Sequence, residues 1–337
     1  MPSTTNDERT WRAVAELYHA FFTGIVLASS SRLGGQRAAD LVFEVFSRQR
    51  EQKFVAGLQK LGLAGQPDAV AAAKYHYLSN WIGGVNVEFM PESDRKAWIR
   101  YGTPRWVWEG SALCGVPPIV SEAMLRGWHA RNGVALGNPR LGFVCTKQAA
   151  DGDSALEGYY FEYDEPLEPH QRLRFDRTQD APDFDPALAP ALPTEQWPSE
   201  RLAKAHRNYA MTYPQTAVGT AIDLWGEEQA VAVIGLAAKQ IGMQYYPTVC
   251  AILGATPDGS AHSAADILAA LLSGHGTSAS VERAAAGATV TQEAPVFVGP
   301  GAHPAVDRIW GRLFEGALAT HNHRLRLERD GLTWRIH

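Results

Sequence analysis

The chain has 337 residues, 45% of them hydrophobic and 20% charged, the balance of a folded globular protein rather than a disordered one. Its formal net charge of -5, with no local block of Lys and Arg, argues against a general affinity for nucleic acid or anionic lipid. A chain of this length is expected to divide into two units of about 150 residues.

The apolar stretch Ala20 to Ser29 is about half of the roughly 20 residues that a membrane-spanning helix needs. Asp7, Glu8 and Glu16 precede it, where a secretory leader would be basic. Cys114, Cys145 and Cys250 are too few and too scattered for a disulfide framework or a structural zinc site. A cytoplasmic protein is expected, with no membrane contact, no metal and no cofactor.

From Trp11 the pattern is helical, with Val14, Leu17, Tyr18, Phe21 and Phe22 at three- and four-residue steps. Gly34 and Gly35 interrupt it. A second helix is expected from about Gln36 to Leu61, closed by Gly62, and a third from about Pro67 to Trp81. Alternation at Val85, Val87 and Phe89, and again at Trp106 and Trp108, predicts strands. Pro117 and Pro118 suit the first turn of a helix ending near Gly133, because proline's missing N–H is not needed there. Leu141 to Thr146 and Glu157 to Asp164 form an expected hairpin.

Asp176 to Ser199, with five prolines, is a linker or an ordered tie across the surface. Helices are then expected at about 200–222, 226–253, 263–273 and 304–319. A last hairpin turns at Asp330-Gly331. The element order is thus the same twice, and Gly34/Gly226, Gln52/Gln244 and Leu61-Gly62/Leu253-Gly254 share one offset of 192 residues. The expected fold is α+β in two tandem pseudo-symmetric halves, each a helical bundle with a small antiparallel β region. They are 11–175 as the ligand-binding half and 200–337 as mainly scaffold, with the Pro-rich linker 176–199 between them.

No Walker loop, G-x-G-x-x-G, G-x-S-x-G, H-E-x-x-H or paired C-x-x-C occurs. His321 and His323 have a strand-like metal spacing, but a polar loop explains them as well. His275, before a glycine, suits a helix C-terminus or a catalytic base. Cys114 precedes the Val116-Pro-Pro helix start, where exposed N–H groups and the helix dipole suit a nucleophilic sulfur, although a packing role is open too. Aromatic residues crowd 75–128, whereas 274–300 holds only Phe297. They line either a pocket for a flat ligand or a core.

Val87-Glu-Phe through Cys114, Asn138-Pro-Arg-Leu, and Asp151-Gly-Asp through Tyr159-Tyr-Phe-Glu-Tyr163 together resemble the aminothiazoline carboxylate (ATC) hydrolase-like family. The resemblance covers roughly 20–165. It implies ring-opening hydrolysis of a small C–N heterocycle, although Tyr159 and Tyr160 stand where family members commonly carry a cysteine. The expected function is therefore an enzyme acting on a small aromatic or heterocyclic molecule. Cys114 is the candidate nucleophile, His129 or His76 the base, and Trp81, Tyr101, Trp106 and Trp108 the substrate-binding residues. The alternative is a non-catalytic small-molecule-binding or sensory protein. A third reading, an interaction scaffold, places apolar helix faces in a homodimer interface.

Overall fold

The computed structural model describes residues 6–102, 112–299 and 301–337. The protein is α+β, with a five-stranded mixed sheet and a four-stranded antiparallel sheet. Its backbone divides into two compact units, Ser29–Pro198 and the pair of segments Met1–Ala28 and Ser199–His337. Helix α1 (Asn6–Leu33) therefore begins in one unit and ends in the other. The expected first half begins at residue 11, but in space the front of α1 belongs with the later segment. Thr10 and Val14 lie against Gly274, and Gly24 lies against Ile241. Asp7–Leu33 is long and apolar enough by composition to cross a membrane, and 72% of its most apolar window is buried within the protein.

In the unit Ser29–Pro198, helices α2 (Gly35–Lys60) and α3 (Asp68–Ile82) precede strands β1 (Val87–Ser93) and β2 (Lys96–Gly102). Helix α2 buries Leu41, Val42, Val45, Phe46, Phe54 and Leu58, the stripe read from its 3.6-residue period. The helix expected from Pro117 to Gly133 is shorter. Helix α4 (Pro118–Gly127) gives way to a 3-10 turn, His129–Arg131, and the single turn α5 (Asn132–Ala135). Gly127 lets α4 press on α2, since a side chain there would meet the Phe43 carbonyl. Strands β3 (Leu141–Lys147) and β4 (Ala155–Glu162) form the expected hairpin, and β5 (Leu173–Phe175) runs parallel to β3. The sheet order is β1-β2-β4-β3-β5.

Strand alternation sends Tyr101, Phe143 and Tyr160 to the sheet face that α3 covers, and Trp98, Val144 and Tyr159 to the other. A different part of the unit meets that outer face. Segment 176–198 crosses it as an ordered strap, with Ala181 and Phe184 packed on Met90, Trp98, Val144 and Tyr159.

The other unit continues with α6 (Ser199–Trp225) and α7 (Glu227–Ala230). A π-helical turn, Val231–Gly235, then leads into α8 (Leu236–Leu253), followed by α9 (Ala261–Gly274). Strands β6 (Ala279–Ala284) and β7 (Gly287–Gln292), helix α10 (Pro304–His321), and strands β8 (Leu327–Asp330) and β9 (Thr333–Ile336) complete it. The sheet order is β6-β7-β9-β8, all antiparallel. Helices α8 and α10 meet backbone to backbone at Gly242 and Gly316.

That crossing gives a paired prediction on one helix. A methyl at Gly316 would run into the Lys239 carbonyl, whereas Gly311 has nothing within 4 Å of its missing Cβ. Gly316→Ala should destabilise by about 1–3 kcal/mol or more through overpacking. Gly311→Ala should stabilise by about 0.5–1 kcal/mol through helix propensity. Urea midpoints of the two variants decide it, and equal midpoints would rule out the close crossing.

Candidate functional site

Three of the sequence-selected residues, His76, His129 and Tyr101, come together beneath the five-stranded sheet. His76 comes from the middle of α3 and His129 from the turn after α4. Their rings stack with centroids 4.1 Å apart, and both are buried, at 3% and 2% exposure. Asn132, absent from the sequence reading, joins them from the start of α5. Its Nδ2 lies 3.0 Å from His76 Nε2 and 2.8 Å from the Tyr160 hydroxyl. Tyr160 Oη is 2.7 Å from His129 Nδ1, and Tyr101 Oη is 3.4 Å from His129 Nε2.

One proton arrangement satisfies this chain. The Asn132 amide donates to His76 and to Tyr160, Tyr160 donates to His129 Nδ1, and His129 Nε2–H points at the Tyr101 oxygen. Each of these contacts then pairs a donor with an acceptor, as buried polar groups require. Burial holds the Tyr160 phenol well above its ordinary range. One atom is left over: Asn132 Oδ1 is buried with no hydrogen-bond partner among the described residues.

The other selected residues occupy different surroundings. Cys114 is exposed, on a 3-10 turn (Ala112–Gly115) that packs against the turn Ala149–Asp151. The two imidazoles, by contrast, are enclosed in the core. Trp81, on the last turn of α3, is 47% exposed. Trp106 and Trp108 lie outside the described residues, as does the strand expected there, and the strand that pairs with β1 is β2. Burial raises the thiol of Cys145 to about 12, consistent with the packing role read from the sequence. None of the three cysteines is in a disulfide.

The outer face of the same sheet carries a second constellation. Met90, Trp98, Tyr159 and Val144 form one row across four strands. Beside it, Glu88, Arg100, Glu157 and Lys147 form a row of alternating charge. The carboxylate of Glu157 is 1% exposed, 3.1 Å from Arg100 and 3.4 Å from Lys147, and it accepts hydrogen bonds from Thr146 Oγ1 and Ala181 N. Lys96 Nζ stands 4.8 Å and 4.4 Å from the ring centroids of Trp98 and Tyr159. The strap is pegged to these charges. Arg100 Nη2 donates to the Pro182 carbonyl, Lys147 pairs with Asp180 at 2.6 Å, and Lys96 donates to Gln179. No motif search finds such a row, because its members lie up to 69 residues apart and only strand register aligns them.

The unit containing Ser199–His337 has an aromatic cluster of its own, so the contrast between 75–128 and 274–300 disappears in space. Tyr18, Phe297, the α10 pair Trp310 and Phe314, and Trp334 come from four separated stretches of the chain. Arg329 lies 4.8 Å and 4.4 Å from Trp310 and Trp334 and pairs with Asp307. His275 caps α9, and its Nε2 accepts from the Tyr18 hydroxyl at 2.7 Å, while Tyr18 accepts from Trp310 Nε1. An apolar cavity of about 30 Å³ lies between α8, α9 and α10, walled by Leu268, Leu271, Phe314 and Leu318 beside Tyr246 and His321. It is far below the roughly 300–1,000 Å³ of a ligand pocket. His321 accepts from Tyr246 and donates to the Ser260 carbonyl, which makes it a helix-end tie. Among the described residues no group of three or more His, Cys, Asp or Glu could hold a metal.

Two predictions follow from these cores. Tyr160→Phe strips His129 Nδ1 and one Asn132 N–H of their partner, and should cost about 1–3 kcal/mol for each group left unpaired; an unchanged urea midpoint would rule out the hydrogen-bond chain. His275 is pushed down from its ordinary 6.5 to about 3, first by burial and then by the Arg207 charge. Between those values the unfolded chain binds a proton at His275 that the folded one does not. The stability gained by keeping the ring neutral is therefore complete above pH 6.5 and shrinks by up to about 1.4 kcal/mol per pH unit below it. His275→Gln should flatten the slope between pH 6.5 and 4; identical slopes in both proteins would remove His275 as its source.

No protein-family model matches the chain, and neither a curated protein nor a solved structure matches it.

Proposed function

We propose that the chain is a duplicated small-molecule-binding protein whose site is the outer sheet face of the unit Ser29–Pro198, beneath the strap 176–198. The observation that carries this is the roofed pairing of an aromatic row, Trp98 and Tyr159, with an alternating charged row around buried Glu157. A flat heterocycle needs an aromatic surface to stack on and a few fixed polar groups to orient it. The roof has no regular structure beyond the turn Pro186–Leu188, and its pegs are single hydrogen bonds or ion pairs. Lifting it is therefore cheaper than opening a helical core.

Duplication is supported by the two sheets, in which the fourth strand sits between the second and third. Glycines with positive φ recur 192 residues apart at Gly34 and Gly226, Gly62 and Gly254, and Gly84 and Gly276. Asn138 and Asn322 each accept from the backbone N–H two residues on, and each ties its amide near the start of a helix, at Asp68 and at Gly259.

A second reading, hydrolysis of a small C–N heterocycle as the ATC hydrolase-like resemblance implies, rests on Cys114. It is exposed beside a turn where the buried amide oxygen Gln148 Oε1 has no partner among the described residues. There the thiol would attack the ring carbon, the C–N bond would break with the nitrogen leaving protonated, and water would release the product.

The test is a thermal-shift and tryptophan-fluorescence screen of small heterocycles on wild type, Trp98→Phe, Phe184→Ala and Cys114→Ser. Binding should change the Trp98 component of the emission and weaken about tenfold or more, roughly 1.4 kcal/mol, in Phe184→Ala. Ligands that bind all variants equally, or no ligand at all, would overturn the site. Turnover abolished by Cys114→Ser would establish the second reading instead.

A further inference from the structure

We propose that Arg50, Trp128 and Arg131 form a binding site for one small monovalent anion, chloride in the first instance, between α2 and the turn that follows α4. All three residues belong to the unit Ser29–Pro198. The Arg50 side chain is 8% exposed, and its Nε is buried with no hydrogen-bond partner among the described residues. The indole Nε1 of Trp128 is buried and unpartnered in the same way. A buried N–H that donates to nothing is costly, and more so on a charged group, so two of them on one wall call for an acceptor.

Packing brings these donors to one place. Phe46 and Phe54 lie one turn before and one turn after Arg50 on α2, so the three side chains share a face. Trp128 packs on Phe46 with ring centroids 6.2 Å apart, Tyr75 packs on Phe54 at 4.9 Å, and Trp128 and Tyr75 stack at 6.4 Å. Arg50 therefore sits on the stretch of α2 that these two rings span. Arg131 comes to the same helix: its backbone N–H donates to the Trp128 carbonyl, and its guanidinium lies 5.4 Å from the ring centroid of Phe43, two turns before Arg50. Burial lowers the Arg50 pKa, Glu51 raises it and Arg131 lowers it again, so the two guanidinium charges act on each other.

Charge and space then define the ligand. Glu51 pairs with Arg50 at 2.8 Å but is 62% exposed, and among the described residues no other carboxylate is paired with Arg50 or Arg131. Two permanent guanidinium charges against one solvent-screened carboxylate leave about one positive charge for a ligand to meet. A side chain at Gly127 would meet the Phe43 carbonyl, and one at Gly57 would meet the Tyr75 ring, so α2 is pressed closely on both sides of Arg50. Close walls and N–H donors favour a halide over a phosphate or an organic acid.

Crystals of the full chain grown in sodium bromide test the proposal directly: an anomalous peak is expected within hydrogen-bond reach of both Arg50 Nε and Trp128 Nε1. In solution, Tm should rise saturably as chloride replaces methanesulfonate at constant ionic strength, because an ion that binds only the folded chain stabilises it. Chloride should bind about tenfold or more weakly in Trp128→Phe, which keeps a ring and loses the donor, and the saturable rise should vanish in Arg50→Met. Circular dichroism shows whether each variant is folded; if Arg50→Met is not, Arg131→Gln is read in its place, with the same tenfold weakening expected. A water instead of bromide between the two donors, an equal chloride response in wild type and variants, or sulfate stabilising more than chloride would each overturn it. So would bromide seen in the crystal with no chloride response in solution, which would mark an adventitious ion only.

Discussion

A phenol hydroxyl sealed away from water must find a partner, or folding loses about 1–3 kcal/mol for it. Both units solve this problem with an imidazole. Tyr160 donates to His129 in one unit, and Tyr18 donates to His275 in the other. In each case a further N–H, from Asn132 or from Trp310, donates to the phenol oxygen and so sets the direction of its proton. Tyr160, Tyr18 and Trp310 are also among the largest fully buried side chains, so the polar chain and the packing cannot be separated. Each of these contacts thereby pairs a donor with an acceptor inside a packed core.

Charge is handled differently on the outer sheet face. Glu157 is as buried as the histidines, but it keeps its carboxylate company with Arg100, Lys147, Thr146 and a strap N–H. Such a carboxylate is stabilising only while its partners stay in place, since removing one leaves a charge stranded in low dielectric. The strap thus does two things at once. It covers Trp98 and Tyr159, and it completes the hydrogen bonding of the charged row. That coupling of an apolar cover to polar pegs distinguishes this face from the inner core.

Much of the architecture was legible in the residues themselves. Helical periods marked α1, α2, α3 and α10. Pro118 marked the start of α4, and Asp330-Gly331 marked the last hairpin. These are local signals, set by side-chain period and backbone preference within a few residues. The turn glycines Gly34, Gly62 and Gly331 were legible for the same reason, because a turn that needs positive φ favours glycine.

The candidate site was not legible in the same way. The sequence alone singled out His76, His129 and Tyr101 by residue type, but nothing local announced that Asn132 and Tyr160 would link them, or that Cys114 would stand outside on the surface. Strand register decided that Glu88, Arg100, Glu157 and Lys147 would share one row. The placement of α1 with Ser199–His337 decided that Tyr18 would complete the second aromatic cluster. Contacts of this kind join residues tens to hundreds of positions apart. Their energy comes from burial and hydrogen bonding that exist only once the chain has folded, so only the tertiary structure could decide them.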